Sequence, residues 1–396
     1  MQKNLSPQCD IGPVVTWLVD GARSAPSSED VLTGLCERLL ACGIPLWRVA
    51  VFVRTLHPDL LGRRFLWRHG EGTSVTEAAH ERDETEEFRK SPVIRVAAAG
   101  VAIRRRLADP DCPSDYAVLD EFRAEGVTDY YAAPLPFTNG ETHAVSWTTR
   151  REGGFSDTEI EAIEAVLAPL ARVAEVRALR RTAVNLLEAY VGRQSGERIL
   201  AGRIRRGDTE AIRAAIWLSD MRGFTMLADS MAPDALIALL NRFFDCQVPA
   251  ILDHGGEVLK FMGDGLLAIF RMGAEAAEAQ VCERALEAAR EARAKVLALS
   301  VANASGQEEM VRFGLALHVG EALYGNIGGG GRLDFTCIGP AVNLAARLEK
   351  LTGKLGRTIL GSRAFAQHLP NEFAPLGEFA LQGFRATETA FGLRDE

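Results

Sequence analysis

The sequence predicts an α+β chain, with two folded segments of mixed α and β structure joined by a long helix. Three observations carry that expectation. Short runs rich in β-branched and aromatic residues recur before residue 155. From 157 to 191 apolar residues recur at steps of mostly three or four, the spacing of one helix face. Beyond 211 the elements follow the order β-α-α-β-β-α-β, that of a ferredoxin-like sheet with its helices on one face. The expected division is 1–155, a helical linker at 156–210, and 211–396, and a chain of 396 residues is long enough for it.

In the first segment, 28–40 has the apolar spacing of a helix, and 47–54, 64–68, 129–136 and 143–149 read as strands. The turn Thr138-Asn-Gly-Glu141 joins the last two, with an Asn-Gly pair that tolerates positive φ. Gly154-Phe-Ser-Asp-Thr-Glu159 then opens a helix through a capping box from Ser156 to Glu159. In this order the segment resembles a GAF domain. The resemblance implies an α/β sensor or dimerisation module with a small-molecule ligand. Trp47, Trp67, Tyr130, Tyr131 and Trp147 either line a pocket or fill the core. His57, His69, His80 and His143 stand alone, with no haem-binding signature.

The linker stripe comprises Ile160, Ile163, Leu167, Leu170, Val173, Val176, Ala183, Leu186 and Tyr190. It suits a parallel coiled coil between two copies, or packing against the chain's own first segment. Pro169 could kink the helix, and Gly192 and Gly196 mark its end. A second amphipathic piece, 196–204, follows.

In the last segment 214–219 reads as a buried strand ending at Asp220. Helices are expected at 229–252, 274–299 and 340–351, the last with Pro340 at its start. Strands 257–261 and 266–270 form a hairpin around Gly263-Asp-Gly265, and 312–320 is another buried strand. Asp220 and Asp264 each adjoin an apolar run and a glycine. That exposes a carboxylate where backbone can approach a ligand closely. Two hard oxygen donors at one sheet edge suit a pair of Mg2+ ions on a nucleoside triphosphate. An Asp-Gly turn alone is an ordinary hairpin. Gly328 to Gly331 lack the Gly-Lys-Ser/Thr of a P-loop and read as a flexible turn.

Net charge is -8, which argues against a nucleic-acid partner. Arg104 to Arg106, Arg177 with Arg180 and Arg181, and Arg203 to Arg206 have acidic neighbours and read as solvated helix faces. The 7 cysteines are scattered, without a C-x-x-C pair, as reduced thiols are. No signal-peptide pattern and no apolar run of the ~18–20 residues that cross a bilayer is apparent. The expectation is a soluble, cytoplasmic protein without a membrane span.

Four motifs in order, spanning about 216–391, resemble the catalytic domain of class III nucleotidyl cyclases. They are Ser219-Asp-Met-Arg-Gly-Phe-Thr225, Gly256-Glu-Val-Leu-Lys-Phe-Met-Gly-Asp-Gly265, Phe313-Gly-Leu-Ala-Leu-His-Val-Gly320 and Asp334-Phe-Thr-Cys-Ile-Gly-Pro-Ala-Val-Asn-Leu-Ala-Ala-Arg-Leu348. The resemblance implies that Asp220 and Asp264 hold two Mg2+ or Mn2+ ions per site. Gly223, Phe224 and Thr225 would lie in a phosphate-holding turn. Asn343 would orient the ribose, and Arg347 would stabilise charge on the α-phosphate.

Lys260 and Thr336 fall where the family reads the base. Lysine with threonine fits adenine, whereas glutamate with cysteine fits guanine. The implied activity is an adenylate cyclase of the threonine subtype, converting ATP to 3′,5′-cyclic AMP and pyrophosphate. The alternatives are a guanylate cyclase and a catalytically weak nucleotide-binding regulatory module. One position departs from the family. A lysine that contacts the triphosphate in many members is replaced in Leu381-Gln-Gly-Phe-Arg385. Gln382 carries no charge, and Arg385 is the candidate substitute. Losing one charge-assisted phosphate contact costs on the order of 1.5–3 kcal/mol. The resemblance also implies a homodimer. The metal aspartates of one protomer would work with Lys260, Thr336, Asn343 and Arg347 of the other, under control of the N-terminal domain.

Overall fold

The computed structural model of the chain describes residues 10–57, 60–79, 90–273, 277–302 and 308–396. The chain divides into two compact units, Met1–Leu186 and Leu187–Glu396.

The first unit is built on a six-stranded antiparallel sheet of β1 (Arg48–Arg54), β2 (Leu60–Arg68), β3 (Gly72–Ala79), β4 (Ile103–Arg105), β5 (Asp129–Pro136) and β6 (Thr142–Thr149). Their spatial order is β3-β2-β1-β6-β5-β4. The period-2 alternation of each strand feeds two cores. Val49, Val51, Val53, Trp67, Tyr131, Val145 and Trp147 face the helices Gly12–Val19, Ser28–Ala41 and Asp157–Val191. Tyr130, Ala132 and Ala144 face Pro92–Ala99 and Ala117–Ala124. Trp67, Tyr131 and Trp147 are therefore core residues, and Trp47 lies under Arg150 at 3.4 Å. His143 is buried beside Phe137, and its Nδ1 accepts from the Arg54 N–H at 3.3 Å. Cys9 and His80 lie outside the described residues. None of the other six cysteines forms a disulfide.

The capping box forms as expected. Ser156 N–H donates to Glu159 Oε2 at 2.7 Å, and Glu159 N–H to Ser156 Oγ at 3.3 Å. The helix it opens runs unbroken through Pro169 for 35 residues. Its stripe changes role part-way. Ile163, Leu170 and Val173 are buried in the first unit's core, whereas Val176, Leu179, Ala183 and Tyr190 are exposed. Glu175 sits at the changeover, accepting from Thr138 N–H at 2.8 Å and Arg172 at 2.5 Å.

The second unit has an eight-stranded sheet. Its strands are β7 (Thr209–Met221), β8 (Glu257–Met262), β9 (Gly265–Arg271), β12 (Phe313–Gly329), β13 (Arg332–Ile338), β14 (Ile359–Ser362), β15 (Phe373–Ala380) and β16 (Thr387–Leu393). A separate short pair, β10 (Ser300–Ala302) and β11 (Glu308–Met310), stands apart. The main order is β15-β16-β14-β12-β7-β9-β8, with β13 paired to β12. Alternate residues of β7 split between two cores. Ala215 and Trp217 pack with Leu239, Phe243, Ile251 and the helix Glu278–Leu297. Ala214, Ile216 and Leu218 pack instead with Ala341 and Ala345 of the helix Pro340–Leu355.

Helices thus cover both faces, which corrects the expectation of one. The close approach of Pro340–Leu355 is permitted by glycines. A Cβ on Gly314 would lie 2.1 Å from Thr352 Oγ1, and one on Gly320 would lie 2.6 Å from Ala341 Cβ. The expected 229–252 helix is also divided, at the Ala232-Pro233 and Gln247-Val248-Pro249 steps. Even so, Pro233–Asp253 is long and apolar enough, by length and composition, to cross a membrane, against the expectation of no such run. Leu239, Phe243, Ala250 and Ile251 of this stretch lie in the second unit's core.

His318 is buried on the face covered by Pro340–Leu355, with Nδ1 2.7 Å from Ser362 Oγ. Burial pushes its imidazole down to about 4. A histidine held neutral only in the folded state contributes stability that is full above its unfolded pKa of about 6.5. That contribution is lost as pH falls toward the folded value. His318→Asn is expected to flatten the fall of melting temperature between those two pH values, read by thermal melts across the range.

Candidate active site

Asp220 lies near the end of β7, where it pairs with Gly265 of β9 on one side and Gly314 of β12 on the other. Asp264 occupies the β8–β9 turn. Gly263, at φ +70°, makes that turn possible, and the Asp264 carbonyl accepts from Met221 N–H at 3.4 Å. A Cβ on Gly265 would lie 3.0 Å from Asp220 Oδ1, so glycine leaves the carboxylate its space. Burial, then the charge of Asp264, push the Asp220 carboxyl up to about 6. Glu349 is pushed up to about 7, first by burial and then by Asp220.

The sequence does not single out Glu349, although it lies one helical turn beyond Ala345 and follows Arg347 by two. Among the described residues no three His, Cys, Asp or Glu side chains converge as a metal cluster. Two close carboxylates that repel one another, with few protein ligands, fit a hard divalent cation that takes its other oxygens from phosphate and water.

Gly223, at φ +74°, caps the helix Phe224–Ser230. That helix has only 7 residues, so any phosphate contact there rests on individual backbone N–H groups rather than on a long dipole. Arg222 side chain donates to the Arg357 carbonyl and so ties this turn to the far end of Pro340–Leu355.

Lys260 of β8 reaches across to β13, where Nζ donates to Asp334 Oδ2 at 2.5 Å. Thr336, two residues along the same strand, shares the Asp334 side of β13. Phe335 and Cys337 turn the other way into the core with Tyr324. Asp334 is the member of this group that the sequence reading missed. The available signal was its spacing of two from Thr336. The start of β8 is anchored by a buried polar cluster. Glu257 Oε1 accepts from Ser195 Oγ at 3.0 Å and from Tyr324 Oη at 2.8 Å. Ser195 belongs to the helix Arg193–Leu200, so that part of the expected linker is docked on the strand carrying Lys260.

Asn343 and Arg347 lie four apart on Pro340–Leu355, one above the other. Arg347 Nε donates to the Gln382 backbone carbonyl at 3.2 Å. The Gln382 turn therefore positions Arg347 through its main chain, whatever side chain it carries. Arg385 is exposed on the same loop. Within one chain the structure brings together Asp220 with Asp264, Lys260 with Asp334 and Thr336, and Asn343 with Arg347. Among the described residues no hydrogen bond or ion pair joins one of these three groups to another.

A sequence profile described as the adenylate and guanylate cyclase catalytic domain matches residues 209–394. Residues 209–394 are a class III nucleotidyl cyclase catalytic domain. The cyclase domain is 31% identical over 169 residues to adenylate cyclase 1 of Rhizobium meliloti (strain 1021), covering 42% of this chain and 25% of that protein. It is 30% identical over 176 residues to an adenylate cyclase of Anabaena cylindrica, covering 43% and 34%. The match thus spans 25% and 34% of these two relatives' length. The crystal structure of the adenylyl cyclase CyaB from P. aeruginosa aligns at 24% identity and a TM-score of 0.40, covering 48% of this chain and 96% of that one.

Proposed function

We propose that the protein is an adenylate cyclase, forming 3′,5′-cyclic AMP and pyrophosphate from ATP at sites shared between two copies. The observation that carries this is Lys260, a cation held by Asp334 in line with Thr336, within a cyclase catalytic domain. A lysine N–H matches the unprotonated N1 of adenine, and N1 of guanine carries a proton that opposes it. Thr336 Oγ1 can accept from the exocyclic amine. Lys260→Ala is expected to raise the KM for ATP by about tenfold and to erode the preference for ATP over GTP, as steady-state assays with both nucleotides would show.

Asp220 and Asp264 would hold two divalent cations, Mg2+ or Mn2+. When bound, these supply Lewis-acid neutralisation of the triphosphate and acidify the ribose 3′-hydroxyl. Asn343 positions the ribose so that O3′ faces the α-phosphorus. The O3′–P bond forms as the bond to pyrophosphate breaks, and Arg347 meets the charge that grows on the α-phosphoryl oxygens with a planar, permanently protonated fork. The Gly223–Thr225 backbone and Arg385 would hold the pyrophosphate end.

The dimer is supported by two exposed apolar surfaces. Phe261 and Met262 on β8 and Leu333 and Ile338 on β13 flank Lys260 and Asp334. Val176, Leu179, Ala183 and Tyr190, with the half-buried Leu186, continue at heptad spacing beyond the helix's buried half. In this reading the first unit is a GAF-like sensor that acts on the catalytic dimer through that helix. The test is incubation of the full chain with ATP or GTP and Mg2+ or Mn2+, with chromatography of the products. Cyclic AMP from ATP in large excess over cyclic GMP supports the proposal. Mainly cyclic GMP contradicts the base assignment, and no cyclic product from either contradicts catalysis.

A further inference from the structure

The first unit contains a cavity of about 550 Å³ between its sheet and the helices Pro92–Ala99 and Ala117–Ala124. That volume is in the range of small-molecule sites, about 300–1,000 Å³. Its floor exists because β1 and β6 place small side chains, Ala50 and Ser146, opposite one another on this face. Its walls include Phe52, Tyr116 and Phe122, which give flat apolar surface.

Arg48 enters the same cavity and is only 9% exposed. Its guanidinium lies 4.8 Å from the Phe122 ring and forms no ion pair among the described residues. Burial, then the like charge of Arg64, pull it down to about 10 against smaller opposing effects of Tyr130 and Glu125, so it remains a cation at neutral pH. Of the two acids among the described residues that line the space, Asp115 is already engaged by Arg105 at 2.6 Å, and Glu121 is the other. Buried arginine is ordinarily matched by an anion, because the cost of removing its water is otherwise uncompensated.

The geometry points to a binding site for a small organic anion, a carboxylate or phosphate on a flat apolar body, with the anion on Arg48 and the body against Phe52 and Phe122. The inference does not depend on the cyclase reading, because no residue of the nucleotide site takes part. It gives the first unit a ligand class.

The test uses the full chain and three probes of one shape: 1-naphthoate, 1-naphthyl phosphate and the neutral 1-naphthamide, titrated by calorimetry. At least one anion is expected to bind about tenfold or more tighter than the amide. Arg48→Met should abolish that preference while leaving amide binding within about twofold. Ser146→Leu, which fills the floor, should remove binding of all three. Equal binding of anions and amide to the unaltered protein overturns the inference without any variant. So does an anion preference that survives Arg48→Met, or binding that survives Ser146→Leu.

Discussion

Asp220→Asn is expected to reduce cyclic-nucleotide formation by about 10³-fold or more, because it removes half of the proposed cation ligands and leaves the triphosphate charge unopposed. It is also expected to leave the cation-free protein as stable as before, or more so. Asp220 is held up at about 6 by burial and by Asp264. A carboxyl whose folded pKa is raised adds stability that is full below its unfolded value, near 3.9, and is lost as pH rises through the folded one. At neutral pH, without a cation, the ionised pair is therefore a liability that asparagine relieves. Melting curves in EDTA and in Mn2+ check this. Mn2+ should raise the melting temperature of the unaltered protein and do so far less for Asp220→Asn. A variant that loses activity and melts early in EDTA would mark Asp220 as structural.

Arg347→Ala is expected to lower kcat by about 10²- to 10³-fold with a smaller change in KM, the pattern of a contact that strengthens only as charge develops. Arg347→Lys should recover little, since an ammonium lacks the guanidinium's planar fork. Gln382 separates two explanations of the departure from the family's lysine. The Gln382 main chain, not its side chain, holds Arg347 at 3.2 Å. Gln382→Ala should therefore change kcat by no more than about threefold, within the scatter of surface substitutions. A loss as large as that of Arg347→Ala would mean the glutamine side chain contacts substrate directly.

Much of this was legible in the sequence. The glycines on either side of Asp264 announced a turn, and Gly263 does make it while Gly265 leaves room for Asp220 across the sheet, but both carboxylates are half-buried where exposed ones were expected. The capping box at Ser156 and Glu159 formed because it needs only neighbours in sequence. What was not legible depends on contacts between distant elements. β12 extends to Gly329 through several glycines that read as breakers, because pairing to β7 and β13 supports the backbone there. The helix Pro340–Leu355 lies opposite the others because Gly314 and Gly320 open a groove for it, which no local pattern states. Asp334 escaped notice because β8 and β13 are far apart in sequence, and only the folded sheet brings its carboxylate to Lys260. The long helix offered two packings, and the structure uses one of them as far as Ala178 while leaving Val176, Leu179 and Tyr190 exposed.

The central claim is that Asp220 and Asp264 of one copy act with Lys260, Thr336, Asn343 and Arg347 of a second. Mixing inactive Asp220→Asn chains with inactive Arg347→Ala chains tests it most directly, with cyclic product measured before and after subunit exchange. In a two-fold dimer each mixed pair would contain one intact site and one doubly damaged site. The account predicts recovery to about a quarter of the unaltered rate when exchange is random. No recovery despite demonstrated exchange, or full activity of either chain alone, would contradict it.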